Sequence, residues 1–221
     1  VVGSHKVNGV SALHSELLLE TVFADFAQLW PERFTNVTNG VTPRRWLAQA
    51  NPGLAALVDA TLGDGGGRGW RVDLAQLARL RPLAGDAAFR QRFRAAKRAN
   101  KERLAAHIRA VTGIVVDPSS LFDVQVKRIH EYKRQLLNVL HVVARYRAML
   151  ADPDPALGDW VPRTVIFAGK AASSYAMAKN VIRLIHDVAT VVNHDPRLQG
   201  RLKVVFVPNY GVSVAELIVP A

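Results

Sequence analysis

The stretch Leu121-Phe122-Asp123-Val124-Gln125-Val126-Lys127-Arg128-Ile129-His130-Glu131-Tyr132-Lys133-Arg134 decides how the second half of this chain folds. Its first six residues form a short β-branched run of strand length, and from about residue 131 to 150 the pattern turns helical. Two more such runs follow, Arg163–Ala168 and Leu202–Val207, with a helical pattern over residues 175–192 between them and another helix opening at Val212. Strands separated by helices of this length predict right-handed βαβ units and a parallel sheet. The fold class is therefore α/β, half of a doubly wound domain. In such sheets ligands gather at the carboxyl ends of the strands. Those ends are Lys127-Arg128, Gly169-Lys170 and Asn209-Tyr210.

The first of these ends carries four cations within eight residues: Lys127 and Arg128 leave the strand, and Lys133 and Arg134 enter the next helix. A helix N-terminus favours an anion, and Lys or Arg beside it strengthens a phosphate site. The competing reading is a charged strand-to-helix turn; the position at the sheet's ligand edge favours the phosphate site. No G-x-G-x-x-G follows the strand, which argues against a dinucleotide. His130 reads first as a structural hydrogen-bonder, and Tyr132 either reaches a sugar hydroxyl or packs under the turn. Asn209-Tyr210 is a functional candidate by place alone.

Upstream, residues 11–30 show one long helical pattern with Leu13, Leu17, Leu18, Val22, Phe26 and Leu29 as its apolar stripe. Asn36-Val37-Thr38-Asn39-Gly40 is rich in turn residues. It precedes a helix start at which Thr42 can cap and Pro43 suits the first position. Trp46, one turn in, reads by default as a core aromatic. The run Gly63-Asp64-Gly65-Gly66-Gly67 reads as a flexible surface insertion, and Asp152-Pro153-Asp154-Pro155 as a helix breaker. Residues 73–112 read as helical and arginine-rich. Within them Phe89, Phe93, Ala96, Leu104, Ile108 and Val111 form an apolar stripe.

The net charge is +11, and twelve of the 29 Lys/Arg lie between residues 68 and 109, against three acids there, Asp73, Asp86 and Glu102. The bland reading is a helix with a solvated basic face. Arginine outnumbers lysine 21 to 8 amid abundant Ala, Val and Leu, and no nucleic-acid-binding signature accompanies the charge. No nucleic-acid partner is expected. The chain lacks cysteine, which removes disulfides, thiolate metal sites and cysteine nucleophiles. No cluster has metal-ligand spacing, so no metal is expected. No apolar run approaches the roughly 18 residues that span a bilayer, so no membrane is expected either, and the location expected is cytoplasmic. Val1-Val2-Gly3 before Ser4-His5, and an end inside the apolar Leu217-Ile218-Val219-Pro220-Ala221, read as cuts from a longer chain.

Four motifs in collinear order resemble the α-glucan phosphorylases of bacterial type, and the resemblance covers essentially the whole chain. They are Gly3-Ser4-His5-Lys6-Val7-Asn8-Gly9-Val10, Thr38-Asn39-Gly40-Val41-Thr42-Pro43-Arg44-Arg45-Trp46, the stretch from Ser120 to Asn138, and Asn209-Tyr210-Gly211-Val212-Ser213-Val214-Ala215-Glu216. The resemblance implies two Rossmann-like domains around a cleft, the GT-B glycosyltransferase architecture. Residues 1–38 would end the N-terminal domain and 39–221 begin the C-terminal, cofactor-binding one, with its Rossmann-like core over about 120–221. It also implies phosphorolysis of α-1,4-glucan by orthophosphate to glucose 1-phosphate with retention, pyridoxal 5′-phosphate as cofactor, and a homodimer. Val10 and Asn39 would line the glucosyl subsite and Tyr132 would approach a further hydroxyl. Arg128 and Lys133 would bind the substrate phosphate, Lys127 the cofactor phosphate, and Trp46 and Tyr210 would pack near the pyridoxal ring.

Three departures stand out. Gly211 occupies a position that is basic in animal members, and Ala171-Ala172-Ser173-Ser174 lacks a Pro-Gly pair. The family's covalent cofactor lysine belongs to a downstream Gly-rich segment ending Asn-Met-Lys, and Lys170 is not that lysine; the chain alone is expected to be inactive. Two other readings stand beside this one. The first is a sugar-nucleotide glycosyltransferase on the same architecture. The second is a basic module binding polyanions or glycogen through residues 68–109.

Overall fold

The β-branched runs form strands where the sequence puts them. The computed structural model describes residues 1–63, 68–152 and 160–221. Most of the glycine-rich insertion and of the Asp-Pro breaker thus lies outside the described residues. The chain divides into two units, Val1–Thr42 and Pro43–Ala221.

The second unit is built on β3 (Leu121–Val126), β4 (Arg163–Ala168) and β5 (Leu202–Val207), all parallel and in the order β3-β4-β5. Leu121 pairs with Arg163, and Arg163 with Leu202, so the three strands end level at Val126, Ala168 and Val207. The central strand is buried on both faces, as strands between two helical layers must be. Val165, Phe167, Leu202 and Val204 pack on one face against α6 (Gln135–Ala151) and α7 (Ala176–His194). Ile166, Ala168, Val205 and Val207 pack on the other against Leu104 and Ile108 of α5 (Ala87–Thr112) and Val214 and Ile218 of α8 (Val212–Ile218). Each fully buried Val, Ile or Phe contributes about 1.5–3 kcal/mol. In α7 the buried residues Ala178, Val181, Ile185, Ala189 and Val192 recur at three or four positions, one helical stripe.

Side chains finish the helix ends. Asp86 accepts the Phe89 N–H at 2.6 Å to start α5, and Gly113, with φ of 74°, ends it in the left-handed region. Asn51 caps α3 (Pro52–Leu62), which precedes the short α4 (Gly69–Val72), and also accepts from the buried Asn100 at 2.8 Å. Asn193 donates to Val204 O and accepts from Val204 N–H, both at 2.8 Å, which ties the end of α7 to β5.

Four expectations are corrected. The α6 helix starts at Gln135, because a 3₁₀ turn over Glu131–Lys133 ends with Arg134 left-handed at φ 63°. Thr42 caps nothing: Pro43 takes the N-cap place of a π-helical turn, Arg44–Gln49, that has no side-chain cap. On α5 the stripe is shorter than its periodicity suggests, for Phe93 and Val111 are exposed while Leu104 and Ile108 are buried. In the first unit, the helix expected over residues 11–30 is split into α1 (Ala12–Leu17), a π turn over Leu18–Val22 and α2 (Ala24–Leu29). The Phe23 N–H reaches back five residues to Leu18 O at 2.9 Å and winds the helix wide there.

That first unit has a parallel pair, β1 (Val7–Gly9) with β2 (Phe34–Asn36). Gly9 is its one buried residue, and Leu13, Val22 and Leu29 of the expected stripe are exposed. Forty-two residues do not supply enough apolar surface to close a core of their own.

Candidate functional site: an open cationic cavity at the strand ends

Pairing between β3 and β4 continues past both strands. The Lys127 N–H donates to Ala168 O and the Ile129 N–H to Lys170 O, each at 3.1 Å. Between these bonds lies Gly169 (φ 157°), and a Cβ there would stand 2.0 Å from the Lys127 carbonyl oxygen. Only glycine lets the two chains approach this closely. Ile129, 3% exposed, anchors the segment in the core.

Three carboxamides hold the turn that follows. Buried Gln135 donates to Arg128 O at 3.1 Å and accepts from the His130 N–H at 3.4 Å. Gln125 donates to Lys133 O at 3.0 Å, and Asn138 donates to Gln125 at 2.9 Å. A turn with no ladder partner needs such side chains to satisfy its backbone.

At the third strand end, Asn209 is left-handed at φ 53° and Tyr210 follows it toward the start of α8. From the other side comes the turn carrying Trp46, held by Arg45 Nε donating to Glu216 at 2.6 Å and by Arg44 donating to Arg71 O at 3.1 Å. Arg71 is itself gripped by Asp59 at 2.6 and 2.7 Å, and Asp59 also accepts from the fully buried Trp70 at 2.8 Å. These donors hold the Asp59 carboxyl below its usual range, the Arg71 hydrogen bond contributing most.

These parts enclose a cavity of about 330 Å³ lined by Trp46, Arg128, Lys170, Tyr210, Gly211, Val212 and Ala215. Its volume falls within the roughly 300–1,000 Å³ of small-molecule sites. Its lining has two cations and two aromatic rings and no carboxylate. Among the described residues neither the Arg128 nor the Lys170 side chain has a hydrogen-bond or ion-pair partner. Two uncompensated cations facing one small cavity recruit an anion, and flanking aromatic faces suit a planar ring.

Of the residues singled out from sequence, Trp46, Arg128 and Tyr210 meet in this cavity, while Lys127, Tyr132 and Lys133 do not line it. Tyr132 is 71% exposed, with the Lys133 ammonium 5.6 Å from its ring centre. His130 accepts from the Tyr132 N–H at 3.3 Å, and its ring lies 4.5 Å from that of Tyr132 and 5.0 Å from that of Tyr175. Tyr175 donates to the Glu131 carboxylate, which raises the phenol above its ordinary range. In the first unit the Asn39 N–H donates to Val10 O at 2.9 Å, so those two residues stand together. Lys170 was missed as a site residue, although the strand-end argument points to it. No group of three or more His, Asp or Glu is placed to hold a metal among the described residues. No helix there is long and apolar enough to cross a membrane.

The fold and the cavity define a parallel α/β domain with an open cavity of cations and aromatic rings at its strand ends. Comparison with known proteins narrows this. The model of the carbohydrate phosphorylase family matches residues 1–221, and the chain belongs to that family. It is 59% identical to a glycogen phosphorylase of Haemophilus influenzae and 60% to one of Pasteurella multocida, over the whole chain and 26% of each relative. It is 51% identical to the brain form of glycogen phosphorylase of Bos taurus, again over the whole chain and 25% of the relative. The chain thus spans about a quarter of the length of the curated relatives it matches.

Proposed function

We propose that the protein to which this chain belongs is an α-1,4-glucan phosphorylase, transferring a glucosyl unit to orthophosphate with retention. The observation that carries the reading is the pairing of unpartnered Arg128 and Lys170 with Trp46 and Tyr210 around one cavity at level strand ends. The whole-chain family match supports it. The architecture is the two-domain GT-B arrangement. The N-terminal domain ends near residue 38, close to the division at Thr42, and the Rossmann-like core of the C-terminal domain covers about 120–221.

The cavity fits pyridoxal 5′-phosphate: its lining offers aromatic faces for the ring, cations for the phosphate, and no carboxylate to repel it. When bound, that cofactor would supply a phosphate group able to exchange a proton with orthophosphate. Trp46 and Tyr210 would flank the ring, and Lys127, next to the cavity residue Arg128, would serve the cofactor phosphate. Arg128 and Lys133 hold orthophosphate. Two unit charges 4 Å apart repel by about 4 kcal/mol at an effective dielectric of 20, and dianions repel more, so both phosphates need these cations. Asn39 donates to or accepts from the primary hydroxyl of the glucosyl unit beside Val10, and Tyr132 approaches another hydroxyl. Orthophosphate gives its proton to the glycosidic oxygen and then adds to the oxocarbenium-like carbon from the same face. An enzyme carboxylate pair of the glycosidase kind is not required.

The test supplies the intact protein with α-1,4-glucan and orthophosphate. Release of α-glucose 1-phosphate supports the reading; release of free glucose, or turnover only with a nucleotide sugar, overturns it.

A further inference from the structure

Lys170 has no role in the motif-based reading, yet its backbone is tied to the chain that carries Arg128. Its carbonyl accepts from the Ile129 N–H at 3.1 Å, and its predecessor Gly169 passes so near Lys127 O that a Cβ would stand at 2.0 Å. The backbone bonding continues one step beyond the Val126–Ala168 pair, with the Lys127 N–H on Ala168 O and the Ile129 N–H on Lys170 O, which places Arg128 opposite Lys170. Arg128 and Lys170 therefore project from adjacent chains into the same cavity. Both are exposed, and neither has a partner among the described residues.

We propose that Lys170 and Arg128 form a two-cation clamp for a single phosphate dianion, with the β3–β4 ladder fixing their separation. The clamp deepens the phosphorylase reading and rests on it: the anion is a phosphate group, either the cofactor's or the substrate's. The guanidinium offers a planar fork to two phosphate oxygens, and the ammonium adds a compact charge to a third. A lone arginine at this edge leaves one negative charge of the dianion unbalanced. Lys170 supplies the second cation without a long side-chain excursion, because its backbone is pinned beside Arg128.

The experiment uses the full-length protein freed of cofactor, with binding followed by calorimetry for three probes: inorganic phosphate, pyridoxal 5′-phosphate, and pyridoxal without its phosphate. Lys170→Met is expected to weaken at least one phosphate-bearing probe by roughly tenfold or more, the loss of one charge-assisted contact, and to leave pyridoxal unchanged. Lys170→Arg is expected to recover most of that loss. Weakening of pyridoxal 5′-phosphate alone assigns the clamp to the cofactor phosphate. Weakening of inorganic phosphate alone, echoed by a raised KM for orthophosphate with an unchanged KM for glucan in the holoenzyme, assigns it to the substrate. Wild-type affinity of Lys170→Met for both phosphate-bearing probes overturns the clamp. If Arg128→Ala still weakens them in that case, the phosphorylase reading survives without it. If the wild-type protein binds neither phosphate-bearing probe, the clamp and the cavity reading fall together.

Discussion

Arg45 Nε donates to Glu216 Oε1 at 2.6 Å, and the pair joins two walls of the cationic cavity. Arg45 precedes Trp46 on the π-helical turn, and Glu216 follows Ala215 on α8; both neighbours line the cavity. The ion pair is half open to water on the arginine side, 49% against 21% for the glutamate. Such pairs contribute little to global stability, about 0–1 kcal/mol. Its consequence is positional: it ties the turn carrying Trp46 to the helix that follows Tyr210.

Arg45→Ala and Glu216→Gln should therefore melt within a few degrees of the wild type. Both should bind pyridoxal 5′-phosphate several-fold more weakly, read by titration in the full-length protein. The exchanged pair, Arg45→Glu with Glu216→Arg, should recover part of the loss by restoring an ion pair at the same place. Equal affinities in all four proteins would remove the positional role.

Gly169→Ala should be severe. Its Cβ meets backbone rather than a mobile side chain, so relief requires parting the ends of β3 and β4. A loss of more than about 2 kcal/mol is expected, as for backbone strain in a packed setting, measured by urea unfolding. Gly85→Ala, where nothing lies within 4 Å, serves as the control and should be near neutral.

Replacing Arg128 or Lys133 with Ala in the intact protein should weaken use of orthophosphate by roughly ten- to hundredfold while the fold persists, each mutation deleting one contact to a charged group. Initial rates against phosphate concentration, with circular dichroism as the folding check, decide this. Normal phosphorolysis kinetics in either variant would remove that residue from the site.

The basic face of α5 divides into two kinds of cation. Arg92 and Arg94 are exposed, and reversing both to Glu should change stability by no more than about 0.5 kcal/mol and leave phosphorolysis nearly unchanged. Lys97 and Lys101 are different: Lys97 donates to Pro220 O at 3.2 Å, and Lys101 donates to Ser120 O at 2.5 Å with its ammonium 4.3 Å from the Phe122 ring centre. Burial lowers both ammonium groups below the usual lysine range. Lys101→Met should lower the melting temperature measurably, where the double reversal at 92 and 94 does not.

Asp195 gives a pH-dependent prediction. It accepts from Tyr146 OH at 2.6 Å and from Arg197 at 2.6 Å, and these donors, Arg197 foremost, hold its carboxyl far below the usual range. A depressed folded-state value means that the stabilisation is complete above the unfolded value near 4 and is lost as pH falls toward the folded one. Asp195→Asn should melt lower than wild type at pH 7, and the gap should close progressively below about pH 4. A gap that stays constant from pH 7 to pH 2 would contradict the assignment.

Local composition alone determined the three strands, the helices that alternate with them, and the place of the strand ends. β-branched runs of six residues and stripes recurring every three or four residues are properties of neighbours in sequence. The family too was legible, in motifs whose order survives any folding. Other features were decided only by tertiary contacts. Helix α6 starts at Gln135 because Arg134 turns left-handed beneath a net of carboxamides from β3 and α6, and no local propensity of Glu131-Tyr132-Lys133 announces that. Phe93 fits the apolar stripe of α5 but stays nearly half exposed, since periodicity specifies a face and only packing covers it. Lys170 becomes a cavity residue because the ladder carries it beside Arg128, forty-two positions away along the chain. Trp46 reaches the same cavity through an ion pair that spans 171 residues. Contacts at such separations have no signature in sequence, since the free energy that selects them is gained only when the whole sheet has closed.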